Sequence, residues 1–160
     1  MRPPLVLVFL AACSSTPEQA KPTSAKKEPT PATAPTVLIV DITKLVGRSR
    51  EDVKTQLGEP TSCEEIKPAR VGPSPKCLYN GDTIEVVFIN GKADWITVNG
   101  LSKLEFSDAA LGSFGLSATK PSFDSPNVLR WTSLPGLHEV SLFPGQGRKS
   151  DYLYVKAVTD

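Results

Sequence analysis

Residues 82 to 98 read DTIEVVFINGKADWITV, two strand-like segments of period-two character on either side of Asn90-Gly91. Period-two patterning on both sides of an Asn-Gly pair predicts an antiparallel hairpin, because both residues of its tight turn need positive φ. A chain built around such a hairpin must cover one sheet face and leave the other to solvent or to a partner. The pattern then recurs: HEVSLF at 138 to 143 matches IEVVFI at 84 to 89, and DYLYV at 151 to 155 matches DWITV at 94 to 98.

Helical signals precede the hairpin. In VGRSREDVKTQLGEP (46 to 60), Ser49 is placed as an N-cap and Asp52 can reach back as in a capping box. Glu51 and Asp52 favour the positive end of the helix dipole, and Val53 and Leu57 share one face. Gly58 and Pro60 stop the helix. Asp41 can cap a shorter turn carrying Ile42 and Leu45. The second half offers Ser107, Leu111, Phe114, Gly115 and Pro121 in the same order, with Trp131 in the place of Tyr79. Duplication follows as the expectation. The fold class expected is α+β: two tandem helix-helix-β-β-β units, over 37–100 and 101–160, forming a layered antiparallel sheet with short helices on one face.

Alternation sorts the side chains. Ile96 and Val98 with Leu153 and Val155 define the core face, joined by Val86, Phe88, Val140 and Leu142. Trp131 and Tyr79 belong to the core. The opposite face carries Trp95, Thr97, Tyr152 and Tyr154, with Glu85 and Glu139 on neighbouring strands. Aromatics beside a few charges have the composition of a protein-binding patch. The competing reading is packing between repeats or under loops.

The first 36 residues lie outside this pattern. Arg2, an apolar run from Leu5 to Ala12 and small residues at its end form a signal peptide over 1–12, too short for a permanent membrane helix. A buried strand or an ordinary cleaved signal is the alternative. Leu10-Ala11-Ala12-Cys13 resembles the lipobox of bacterial lipoproteins, which implies that Cys13 becomes the lipidated, palmitate-bearing first residue of the mature chain. Several acyl chains on one cysteine hold stably, because each buried methylene contributes about 0.8 kcal/mol. Ser14 after that cysteine is compatible, by the same resemblance, with an outer-membrane destination in the bacterial envelope. Residues 14 to 36 are rich in Pro, Ser, Thr and Ala and hold no large apolar side chain, so 13–36 reads as a disordered tether. Extended, it spans up to roughly 70 Å.

With Cys13 assigned to lipid, Cys63 and Cys77 remain as a pair in an exported chain, and a disulfide is expected. A metal or redox pair would need neighbouring ligands or a C-x-x-C spacing, which are missing. EEIKPARVGPSPK between them reads as an exposed loop. Eighteen Lys and Arg against 17 Asp and Glu give a formal charge of +1, which provides no field for nucleic acid. His138 is the single histidine, at a strand start, so neither a His-based metal site nor an acid–base pair can be assembled. No G-x-S-x-G or phosphate-binding glycine loop occurs, and the matched positions of Glu85 and Glu139 account for them without glycosidase chemistry. No cofactor, metal or catalysis is expected.

Gly47, Ser49, Val53, Leu57, Gly58 and Pro60 resemble the G-x-[ST]-x-x-x-V-x-x-x-L-G-x-P signature of SmpA/OmlA-type lipoproteins. That group includes the small lipoprotein subunit of the outer-membrane barrel-assembly machine. The resemblance implies two helices against a three-stranded antiparallel sheet. A tandem pair of such units is similar to the β-lactamase inhibitor protein, which grips an enzyme with a concave sheet. The assembly-machine subunit is not duplicated, so its partners do not carry over. Together these readings predict a membrane-anchored envelope lipoprotein that binds a protein as an assembly factor or inhibitor-like module. A cell-wall or glycan-binding module is the alternative.

Overall fold

The computed structural model describes residues 37–68, 71–132 and 134–158. The signal peptide, Cys13 and the tether lie outside the described residues. Asp41 caps a 3₁₀ turn, Ile42–Lys44, where its side chain accepts from the Thr43 amide. The helix α1 follows at Arg50–Leu57 with the expected capping box: the Asp52 amide donates to Ser49 Oγ and the Ser49 amide to Asp52 Oδ2, each at 3.2 Å. Gly58 ends it at φ +88°.

Four strands come next, β1 (Ser62–Ile66), β2 (Ser74–Tyr79), β3 (Ile84–Ile89) and β4 (Lys92–Val98). After a 3₁₀ helix at Asp108–Phe114 the chain makes four more, β5 (Phe123–Ser125), β6 (Val128–Trp131), β7 (Leu137–Pro144) and β8 (Ser150–Ala157). All pairings are antiparallel, in the order β1-β2-β3-β4-β8-β7-β6-β5. The two halves meet where β4 pairs with β8.

This corrects the expected fold class. The molecule is dominated by one eight-stranded antiparallel sheet carrying little helix, and tandem helix-helix-β-β-β units do not describe it. The segments around Ser49 and Ser107 differ for a physical reason. Three positions after Ser107 stands Ala110, which cannot reach back to the cap, and Gly112 weakens the helix interior. The Ser107 side chain makes no cap hydrogen bond, and the segment settles as 3₁₀. Gly115 ends it at φ +72°, packed so closely on the first half that a Cβ there would lie 2.5 Å from Asp41 Oδ1. The expected loop between Cys63 and Cys77 is also shorter than read, since β1 and β2 run into it as far as Ile66 and Ser74.

Register explains the core. Cys77, Val86, Ile96, Val155, Val140 and Trp131 lie opposite one another across six strands. Tyr79, Ile84, Val98, Leu153, Leu142 and Leu129 form the next row, and both rows are buried. Ile42, Leu45, Val53, Leu111 and Phe114 from the short helical segments complete the same cluster. Apolar area of this extent is the main favourable term for a sheet with one covered face.

The caps make stability acid-sensitive. Hydrogen bonds from the Ser49 hydroxyl and then its backbone amide hold the Asp52 carboxyl below its ordinary pKa. The Thr43 hydroxyl does the same for Asp41; burial opposes it, and Lys44 adds to the lowering. A carboxylate depressed in the fold stabilises above its unfolded pKa, and that contribution is lost as pH falls through the folded value. Urea midpoints are therefore expected to be flat near neutrality and to fall below about pH 4, with Asp52→Asn flattening part of the acid limb.

A candidate binding face on the open side of the sheet

The face turned away from the helices is built from the alternate positions of the same strands. One row runs Glu64, Lys76, Val87, Trp95, Lys156 and Glu139 in direct register from β1 to β7. The next runs Leu78, Glu85, Thr97, Tyr154, Ser141 and Arg130. Tyr152 lies opposite Phe143, and their rings stack with centroids 4.4 Å apart and planes 13° from parallel. Trp95, Thr97, Tyr152, Tyr154, Glu85 and Glu139 therefore share this face, and all six are half-buried.

Each cation of these rows has a carboxylate beside it. Lys76 Nζ lies 2.6 Å from Glu64 and 3.6 Å from Glu85. Arg130 Nε lies 3.3 Å from Glu139 and donates to Ser141 Oγ at 3.1 Å, while the Ser141 hydroxyl donates to Glu139 at 2.7 Å. Lys156 pairs with Asp94 and sits 5.7 Å from the centroid of the Trp95 ring. Three cations meet four carboxylates, so the face is close to neutral, and its aromatic band runs between ion pairs. Burial pushes the Tyr154 hydroxyl pKa up, and the Glu139 and Asp94 charges add to it, so the phenol stays a donor at neutral pH. Trp95 Nε1 is buried and has no hydrogen-bond partner among the described residues.

Sequence reasoning missed Phe143, Ser141, Arg130, Lys76, Lys156 and Asp94. The first five follow the same alternation as the residues it named. Asp94 has the parity of the core residues Ile96 and Val98 and could not be read this way. A register shift between Val87 and Phe88 leaves it as an extra residue in β4, and its carboxylate reaches Lys156. His138 is likewise the unpaired residue at the shift between Leu137 and Glu139, and it is exposed.

Cys63 and Cys77 are joined in a disulfide. Among the described residues no three His, Cys, Asp or Glu side chains are grouped as a metal ion would need. None of the helices there is long and apolar enough to cross a membrane. A cleft of about 620 Å³ lies elsewhere, lined by Phe106, Asp108, Lys120 and Asp124 among others and by none of the six face residues.

Fold and face together define a small disulfide-bonded antiparallel-sheet protein with one covered and one open face. A disulfide of this kind fits an exported or envelope chain rather than one kept in a reducing cytosol. No protein-family model and no curated protein matches the sequence. One solved structure is similar, an extracellular protein containing a SCP domain from Bacillus anthracis str. Ames, at 12% identity and a TM-score of 0.49. The match covers 85% of this chain and 50% of that one, so the chain spans about half its length. At that level the likeness transfers neither fold, activity nor partner.

Proposed function

We propose that this chain is a lipid-anchored protein of the bacterial outer membrane, held by Cys13, that binds another envelope protein through the open sheet face. The lipobox resemblance of Leu10 to Cys13 supports the anchor, and the Gly47-to-Pro60 motif supports kinship with SmpA/OmlA-type lipoproteins. A single observation carries the binding function: Trp95 lies mid-row in a near-neutral aromatic band, with an indole N–H unmet among the described residues. An unsatisfied buried donor costs about 1–3 kcal/mol, which a partner's acceptor would recover after a small rotation of the ring. Near-neutrality selects a largely uncharged partner surface with apolar side chains and exposed carbonyls, since long-range attraction is small.

A photo-crosslinker placed at Thr97 in intact cells tests this reading. Capture of one defined envelope protein is expected, and Trp95→Ala with Tyr152→Ala is expected to abolish it while leaving the circular dichroism spectrum unchanged. Capture retained by the double variant excludes the face. Binding of isolated peptidoglycan or polysaccharide, lost in the same variant, would replace a protein partner by a glycan. Mass analysis of cell-derived protein tests the anchor, with acyl mass on Cys13 as the expected result.

A further inference from the structure

Among the described residues the sheet has two free edges, and they are built differently. β5 has three residues and stops directly at Pro126, the short, proline-limited kind of edge that resists strand addition. β1 has five residues and no proline. Ser62, Cys63, Glu64 and Glu65 are exposed and Ile66 is half-buried, so β1 adds no buried side chain to the core. Yet this strand carries the disulfide. The bond fastens an edge rather than the core.

The Cys63 and Cys77 Cα atoms face each other 4.1 Å apart, the spacing of a non-hydrogen-bonded antiparallel pair. The backbone N–H and C=O of Cys63 therefore point away from β2, and by the two-residue alternation those of Glu65 do as well. Four backbone groups stand in register along the free edge. The Glu64 carboxylate is taken by Lys76, whereas Glu65 has no ion pair among the described residues. Edge carboxylates repel acidic strands and favour basic ones.

We propose that β1 is a docking edge that takes an additional antiparallel strand from an extended segment of a partner protein, with a basic residue opposite Glu65. The Cys63–Cys77 bond holds the four edge groups in register for it. Main-chain hydrogen bonds give such an added strand its affinity and side-chain pairing its selectivity. A second copy of this chain is the poorer occupant, because β1 against β1 gathers four carboxylates in one seam. The docking edge is distinct from the Trp95 face and stands or fails separately.

The probes are two blocked peptides, Thr-Val-Thr-Lys-Thr-Val-Thr and its counterpart with Glu for Lys, titrated to low-millimolar concentration into the oxidised, isotope-labelled full chain. The lysine peptide is expected to slow hydrogen exchange at the Cys63 and Glu65 amides, with little change at Glu64, whose amide already faces β2. Preference for the lysine over the glutamate peptide is expected to be about fivefold, the size of one cross-strand charge pair. Glu65→Lys should reverse that preference, and Trp95→Ala should leave it unchanged. The proposal is overturned if neither peptide affects those two amides, if the effects map to the Trp95 face, or if Glu65→Lys leaves the preference intact. Self-association through β1, seen as the same protection rising with protein concentration alone, also overturns it in favour of a second copy.

Discussion

Replacing Trp131 by alanine is expected to lower the unfolding free energy by about 3–5 kcal/mol, the range for removing a buried aromatic side chain. Trp131 ends the core row that begins at Cys77 and is 2% exposed. Two losses combine there. The indole is part of the same buried cluster as Phe114 and Leu111, and the sheet backbone cannot collapse into the gap it would leave. Its Nε1–H also donates to the Thr119 carbonyl at 2.8 Å, so truncation strips that loop of a bond. Trp131→Phe keeps most of the volume but loses the hydrogen bond and part of the indole, so its cost should be smaller, about 1–3 kcal/mol. Domains of this size are stable by about 5–15 kcal/mol, which makes the alanine change a large share of the total. Urea unfolding followed by far-UV circular dichroism reads both variants. A loss under about 1 kcal/mol for Trp131→Ala would show that β6 is peripheral to the core rather than its far end.

The parts of this molecule that could be read from its sequence are those where local chemistry and tertiary structure agree. Asn90 and Gly91 both take positive φ, at 51° and 76°, as the tight turn between β3 and β4 demands. The Ser49 cap and the burial of Val86, Phe88, Val140 and Leu142 follow from contacts a few residues apart or from simple alternation. The division of the hairpin strands into a covered and an open face follows from the same alternation, which is why the six face residues came out together.

What could not be read depends on non-local pairing. Nothing in β4 or β8 names the other as its neighbour, since strand order is decided by which apolar rows close over the short helices. SCEEI and FDS, the two edge strands, show no alternation because an edge strand here has no buried face to mark. Asp94 changes sides through one extra residue, and composition carries no trace of that. The second helical segment misled for the opposite reason. Its apolar spacing copies the first, but a cap needs a side chain at its third position, and Ala110 supplies none.

Reduction of the Cys63–Cys77 bond is expected to have the other large effect, and its size tests how β1 is held. In the chain-entropy account, releasing a closed loop of about 15 residues costs about 3 kcal/mol of stability. The native state relaxes in turn, because β1 buries no core side chain and is then held by its ladder to β2, the Lys76–Glu64 ion pair and the Arg50 contact to Cys63 Sγ. If β1 frays once reduced, the folded chain regains part of the entropy and the net loss falls below the loop value. The urea slope should then fall too, since a frayed strand exposes its surface before global unfolding begins. Chemistry separates the two sulfurs. Cys77 is fully buried, while Cys63 is exposed and its Sγ accepts from Arg50 Nη2 at 3.1 Å. A guanidinium beside a freed thiol favours the thiolate, so an alkylating reagent should mark Cys63 well ahead of Cys77. A full 3 kcal/mol loss with an unchanged slope and equal labelling of both cysteines would mean that reduction opens the sheet as a whole, and that β1 is as integral to it as β2.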